Sequence, residues 1–349
     1  MASTVLEPEK ETIRIGKNLK VYSFDGRWNI AKRDLRNAFS VINLFKANGR
    51  FEELIDKKCP RFLKGQLSHD GKVLGARINI LPNGKKLDGA FSLFSEGLMI
   101  HDELSHAHWD VIYKNPNGKF AYHYTLDKRA SASLKKYKHV GQFGKKYPVL
   151  EKGVTLSLGD NKNFMALPMF TLLKTHMRVG NEIYYRAHGH KGLTTLKKAD
   201  VKISGDTVSF KFLGKDGVPQ NINKTFPKSY IVRLNNLLKN YRREDFIFQT
   251  PRGHLLSEID FKKEFRKQIG ENFYPHIVRS YFATKATEDF LKTHKNPKKS
   301  EVKNFLLSVA DELGHKKMSK KTGEWEDNYS VTVGHYIDPR LVAKLRRKL

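Results

Sequence analysis

The sequence predicts an α+β protein: a mostly helical domain with a small antiparallel β-sheet or hairpin, preceded by a β-rich N-terminal domain. Three observations carry that prediction. ARINILPNGKKLDGAFSLF and HWDVIYKNPNGKFAYHYTLDKR each alternate apolar and polar residues around an Asn-Gly turn signal. From about Ser131 the apolar residues change to helical spacing, first in ASLKKYKHVGQFGKKYPVL and then in FMALPMFTLLKTHM. Alternation returns once, in ADVKISGDTVSFKFLGKDGVPQNINKTF, where Val201, Ile203, Val208, Phe210 and Phe212 stand on either side of a Gly-Asp turn.

In chain order, a helical patch near Lys32 to Leu54 interrupts the short N-terminal strands. The change of period places a domain boundary near residue 130, giving domains 1–130 and 131–349. Beyond the hairpin ending near Phe226, the remainder reads as helical. Pro275 suits a helix start, and Ile277, Tyr281, Phe282, Ala286 and Phe290 sustain helical spacing. In SEVKNFLLSVADELG, Ser300 is the expected N-cap, Val302, Phe305, Leu306, Val309 and Leu313 form the apolar stripe, and Gly314 ends the helix.

Charge narrows the partners. The 349 residues include 65 Lys and Arg against 36 Asp and Glu, a net charge of +29. Such an excess implies a polyanion, and nucleic acid leads because each neutralised phosphate releases counterions. No apolar run approaches a membrane span, and Met1 to Lys10 is too acidic and polar for a signal peptide, so no membrane partner is expected. The single cysteine, Cys59, rules out an intramolecular disulfide and fits a reducing compartment. A soluble intracellular protein with a nucleic-acid partner is the expectation. The lysine runs KNPKKSEVK and KKMSKKTGEW read as solvated loops.

Several side chains occupy special positions. Arg178 follows the apolar run FMALPMFTLLKTHM; it reads either as a partner of the helix dipole or, if Val179 and Gly180 turn the backbone, as an inward-facing fork for phosphate oxygens. Lys215 sits at the tip of the predicted hairpin, as a solubilising residue or as a general acid. Arg279 lies in a first helical turn, against the favourable dipole direction, which suits a bound anion better than helix stability. His276 shares its face. His315 follows a helix end, as a dipole partner or as a donor to a phosphoryl oxygen. The histidine doublets His106 with His108 and His188 with His190 lack further ligands at metal spacing, so neither is read as a metal site. With no GxxxxGK[ST] loop, nothing points to ATP, and no cofactor is expected.

The order Arg, Lys, Arg, His, Tyr resembles the catalytic domain of type IB DNA topoisomerases of the small poxviral and bacterial kind, within the tyrosine recombinase and topoisomerase IB superfamily. MRVGNEIYYRAHGHKGLTTLKKADVKISGDTVSFKFLGKDGV is similar to that family's Arg-x-Gly-Asn-Glu-x-Tyr run, its Gly-Leu-Thr-Thr-Leu and its strand ending in Gly-Lys-x-Gly. Residues 106–130 look like the end of the family's β domain, while 1–105 match nothing comparable. The resemblance implies that Arg178 and Arg279 clamp the scissile phosphate, Lys215 protonates the leaving 5′ oxygen, and His315 bonds a nonbridging oxygen. A tyrosine then attacks, forming a 3′-phosphotyrosyl bond without ATP or metal.

Two tyrosines compete for that role. Tyr329 lies beside Glu324, Glu326 and Asp327, which repel phosphate, whereas Tyr336 is followed, like the family nucleophile, by an apolar residue, a polar one and Pro339. Tyr336 is therefore the expected nucleophile, with the segment after His315 an insertion. DNA contacts are expected from His276, Lys138, Tyr184, Lys316 and Lys317. The implied partner is double-stranded DNA, clamped by a monomer with the N-terminal domain as part of the clamp, and no small-molecule substrate is implied. His276 stands where the family usually has lysine, and PHIVRSYFAT followed by LGH looks more like a tyrosine recombinase or integrase, the alternative reading. A non-catalytic basic DNA-binding protein is the lesser one.

Overall fold

A computed structural model describes residues 8–75, 77–101, 109–116 and 118–347. The histidines of the first doublet, His106 and His108, lie outside the described residues. The chain divides into two compact units, Met1–Lys135 and Lys136–Leu349. The fold is α+β.

The N-terminal unit is built from short antiparallel strands. β1 (Ile13–Ile15), β2 (Val21–Phe24) and β3 (Trp28–Ile30) precede α1 (Arg36–Ala47), a single 3-10 turn at Phe51–Leu54, and then β4 (Gln66–Leu67) and β5 (Val73–Leu74). These strands form one sheet in the order β3-β2-β1-β4-β5. β6 (Ile78–Ile80) and β7 (Lys86–Phe91) pair across the predicted Asn-Gly turn, where Gly84 adopts φ +90°. β8 (Glu96–Ile100), β9 (Val111–Lys114) and β10 (Phe120–His123) make a third sheet. Ile15, Ile42, Phe45, Leu54 and Leu63, all fully buried, join sheet and helix in one core.

From α2 (Leu126–Ser157), whose first turns still belong to the N-terminal unit, the chain is mainly helical. α2 begins five residues before the expected Ser131, because the Thr125 hydroxyl accepts the Lys128 N–H and starts the helix there. α3 (Ala166–Thr175) and the short α4 (Glu182–His188) lead into the sheet β11 (Val201–Ser204), β12 (Thr207–Leu213) and β13 (Pro219–Thr225), whose inward residues Val208 and Phe210 are fully buried. α5 (Lys228–Lys239), α6 (Glu258–Ile269), α7 (Ile277–Thr293) and α8 (Lys299–Glu312) follow. A large core of Phe143, Leu193, Tyr230, Phe261, Phe265 and their neighbours holds α2, α3, α5 and α6 together. Its rings meet largely edge-on, as for Phe143 with Phe265 and Phe273.

Three expectations for this unit need correction. The N-cap of α8 is Lys298, not Ser300; Glu301 accepts the Lys298 N–H at 2.6 Å, so the helix starts at Lys299. The last region is not all helix, since β14 (Lys316–Met318) and β15 (Trp325–Asp327) form a hairpin before α9 (Ser330–His335) and α10 (Pro339–Arg346). That hairpin takes Lys316–Met318 and Trp325 of KKMSKKTGEW into paired strands, and KNPKKSEVK enters α8, so neither lysine run is wholly a loop. A second cluster of Ala283, Val302, Leu306, Ile337 and Leu345 seats α8 and α10 on α7.

Candidate active site

Each site residue is placed by a recognisable local device. α3 ends on His176 in the left-handed region (φ +53°), and Gly180 (φ +92°) turns the chain again, which brings Arg178 back over the helix end. The backbone of Gly192-Leu193-Thr194 closes against that turn. Leu193 N–H donates to Arg178 O at 2.8 Å and Thr194 N–H to Val179 O at 2.7 Å. A β-carbon on Gly192 would lie 2.6 Å from Arg178 O and from the Gly180 Cα, so only glycine fits there. The two motifs MRVGNE and GLTTL are thus halves of one construction.

Arg279, in the first turn of α7, is 1 % exposed. Its guanidinium donates to the carbonyls of His176 and Leu313, the latter at 2.7 Å. His176 and Leu313 are the C-caps of α3 and α8, so two helix C-termini with their partial negative charge face this cation. Glu312 fixes His176 through Nδ1 at 3.1 Å and binds Lys224 at 2.6 Å. His315 follows Gly314, whose φ of +63° ends α8. Its Nε2 receives Arg279 Nη2 at 3.0 Å, and its Nδ1 lies 2.8 Å from the Thr332 hydroxyl.

Tyr336 caps the C-terminus of α9 and is 5 % exposed. Its hydroxyl receives Arg178 Nη2 at 3.4 Å, a long hydrogen bond, and the Arg279 guanidinium stands 5.1 Å from its ring centroid. His315 and His276 pack on the same ring at 4.8 and 5.2 Å. Tyr329 has other company: it is the N-cap of α9 and packs, half-buried, against the α7–α8–α10 cluster.

A cavity of about 280 Å³ opens beside these groups, with Arg178, Arg279, His276, Lys215 and Tyr184 in its walls. Lys215 reaches it from the turn between β12 and β13, a hairpin tied to the end of α8 by Gln220 donating to Gly314 O at 3.2 Å. Of the expected DNA contacts, His276 and Tyr184 therefore belong to the cavity. Lys138 is exposed on α2, and Lys316 and Lys317 lie on β14, where Lys316 pairs with Asp327 at 3.5 Å; none of these three lines the cavity. Two further neighbours were not singled out from sequence, Thr332 and Lys136. Lys136 Nζ donates to His335 O and stands 5.5 Å from the Tyr336 ring centroid. Helical spacing offers the signal for Lys136, which shares a face with buried Val140 four residues on, whereas Lys138 is turned away from it.

The electrostatics follow from crowding cations around buried rings. Burial pushes the Tyr336 phenol up, but Arg279 and Arg178 outweigh it and the net shift is downward. Burial, Arg279 and Arg178 drive His315 down to about 2 and His276 down to about 3, so both imidazoles are neutral at physiological pH. Burial and Arg178 lower even Arg279, to about 10, and it remains charged at neutrality. Among the described residues no group of three or more metal-ligating side chains occurs; the rings of His188 and His190 stack on each other at 5.7 Å.

Residues 127–331, more than half of the chain, match the family model described as the catalytic core of eukaryotic DNA topoisomerase I. This chain belongs to that family. A curated relative, DNA topoisomerase 1B of Acanthamoeba polyphaga mimivirus, is 27 % identical over 224 residues, or 59 % of this chain and 66 % of the relative. The chain thus spans just under two thirds of that relative's length. Among solved structures, a pre-cleavage complex of the XerH site-specific recombinase bound to difH substrate is similar over 48 % of this chain and 46 % of its own, with 20 % identity and a TM-score of 0.34. A post-cleavage XerH complex with palindromic difH is similar over 57 % and 51 %, with 18 % identity and a TM-score of 0.35. The topoisomerase I match stops at residue 331, five residues before Tyr336. The matched region therefore includes Tyr329 but not Tyr336, while the arginines and His315 surround Tyr336 and not Tyr329.

Proposed function

We propose that this topoisomerase I family member is a type IB DNA topoisomerase that relaxes supercoiled duplex DNA by transient single-strand cleavage and religation, without ATP or a metal ion. The observation that carries the reading is the Tyr336 hydroxyl meeting Arg178 at 3.4 Å, with buried Arg279 and neutral His315 packed on its ring. Tyr336 is the nucleophile. As a phosphodiester enters, its oxygens meet Arg178 and Arg279 and Arg178 releases the phenol, which gives up its proton to water as its oxygen attacks phosphorus. The bond to the 5′ oxygen breaks and Lys215 supplies that oxygen's proton. The 3′-phosphotyrosyl bond stores the energy of the broken one, so no nucleotide is consumed. The pentacoordinate transition state carries spread negative charge, which the arginines meet already oriented. His315 bonds a nonbridging oxygen and His276 and Tyr184 border the DNA.

In this reading a monomer clamps the duplex, residues 1–130 forming part of the clamp, with Lys138, Lys316 and Lys317 against the backbone, inside the cell where DNA is found. The charge of +29 supports the polyanionic partner, and no helix among the described residues is long and apolar enough to cross a membrane. The deciding experiment is relaxation of positively and negatively supercoiled plasmid in EDTA without ATP. Wild type is expected to relax both; Tyr336→Phe is expected to bind DNA without forming the covalent adduct, and Tyr329→Phe to keep it. Strict dependence on a divalent ion, or an adduct mapping to Tyr329, refutes the assignment. Site-dependent joining of DNA would indicate a recombinase instead, and a mobility shift alone a binding protein.

A further inference from the structure

Thr332 is fully buried and its hydroxyl has a histidine nitrogen as its partner. It sits on α9 one turn before Tyr336, whose backbone N–H donates to Thr332 O at 2.9 Å. The geometry at His315 fixes which nitrogen holds the proton in the free protein. Arginine only donates, so at 3.0 Å from Arg279 Nη2 the Nε2 atom must accept. A neutral imidazole has one N–H, which therefore lies on Nδ1 and donates to Thr332 Oγ1 at 2.8 Å. That is the wrong tautomer for bonding a nonbridging oxygen, which needs a donor at Nε2. Adding a second proton is not a practical route between two arginines. A hydroxyl is one of the few side-chain groups that accepts or donates without changing charge.

We propose that Thr332 is a positioning residue that lets His315 change tautomer: its hydroxyl accepts from Nδ1–H in the free site, where Arg279 and, at 3.4 Å, Arg178 both donate toward Nε2, and donates to Nδ1 once a phosphodiester takes up those two arginine donors, leaving Nε2–H for the phosphoryl oxygen. The imidazole stays neutral throughout. One proton leaves Nδ1 for water and one reaches Nε2 from water while the site is open. The proposal rests on the topoisomerase reading for its catalytic meaning, but the tautomer itself is a property of the folded chain.

The test combines two measurements. Histidine-labelled nitrogen-15 NMR of the full chain, with the His315 signals identified by their loss in His315→Asn, reports the tautomer directly. The free protein is expected to show Nδ1–H at His315. Tyr336→Phe saturated with a duplex oligonucleotide, which it cannot cleave, is expected to show Nε2–H. An Nε2–H in the free protein, or an Nδ1–H that persists on DNA, overturns the proposal. Independently, Thr332→Val preserves shape but removes the hydroxyl and should slow adduct formation about 10- to 100-fold, as expected for an unmet buried hydrogen bond. Thr332→Ser should stay within about 3-fold of wild type on the same account. Equal rates for valine and wild type overturn it, as does a serine variant as slow as valine. If wild type forms no adduct, the topoisomerase reading falls, while the two spectra still decide the tautomer change.

Discussion

Removing Arg178 separates two things that the guanidinium does for Tyr336. At 3.4 Å from the phenol oxygen it favours the phenolate, and together with Arg279 it overcomes the burial that favours the neutral form. Opposite charges about 4 Å apart attract by about 1 kcal/mol in water and about 4 kcal/mol at the effective dielectric near a protein surface. Arg178 is half-buried, which places it between those limits. Arg178→Ala should therefore move the Tyr336 titration upward in pH, and Arg178→Lys should move it much less. The signal is the ultraviolet absorbance of phenolate, read as the difference between each protein and its own Tyr336→Phe version, which cancels the other tyrosines. Wild type should titrate below the ordinary phenol value of 10. The sign for stability follows: an acid with a depressed folded pKa contributes stability that is complete above the unfolded pKa and is lost as pH falls through the folded one. That contribution should be smaller in Arg178→Ala. Adduct formation should fall by about 10²–10³ as the transition-state contact is also lost, with DNA binding nearly intact. A Tyr336 titration unmoved by Arg178→Ala would refute the electrostatic argument, whatever happened to the rate.

Three further outcomes are expected. Lys215→Ala should slow cleavage by about 10²–10⁴, the range for a general acid. Replacing the scissile 5′ bridging oxygen by sulfur, which leaves without protonation, should restore most of that loss; no restoration would remove Lys215 from the acid role. Gly192→Ala forces a β-carbon to 2.6 Å from Arg178 O, so it should lower stability by about 1–3 kcal/mol in thermal or denaturant unfolding and impair cleavage. Full activity in that variant would show that the Arg178 turn tolerates displacement. Affinity for nonspecific duplex should fall steeply with salt, at a log–log slope of about −0.9 per phosphate neutralised; a flat profile would assign the +29 charge to another partner.

Periodicity made most of the catalytic unit legible, because Val208 and Phe210 or Val302 and Leu306 bury one side of their element and the residue pattern records that directly. The β14–β15 hairpin escaped for the same reason in reverse. Its strands are three residues each, neither has a buried residue, and KKM and WED carry no apolar alternation to read. Arg178, Arg279, His315 and Tyr336 stand out in sequence as charged or polar groups at places where a helix begins, ends or turns, and the structure gathers all four within contact. Thr332 and Lys136 do not stand out, since their roles depend on what faces them from His315 and Tyr336, which are distant in sequence. Lys138, Lys316 and Lys317 lie outside the cavity wall, because a lysine's direction is set by helix rotation and strand register rather than by its nearness to a motif.

Arg279 explains why such a site is stable before DNA arrives. A buried guanidinium without a carboxylate is ordinarily costly, and the described residues give it no ion pair. Here the C-terminal ends of α3 and α8 take that place with partial charges, through the carbonyls of His176 and Leu313. Carbonyl dipoles engage Nη1 and Nη2 without neutralising the cation, while Nε is buried without a partner. A carboxylate in the same position would compete with every phosphate that entered. Glu312 has its two oxygens occupied by His176 and Lys224, which makes it a brace for the residue whose carbonyl holds Arg279. The full positive charge is therefore held in place by groups that cannot cancel it. The same unspent charge lowers the Tyr336 phenol and, together with burial, keeps His315 and His276 neutral, so on the proposed mechanism one electrostatic arrangement would attract the phosphate, ready the phenol and leave the imidazoles as uncharged hydrogen-bonding groups.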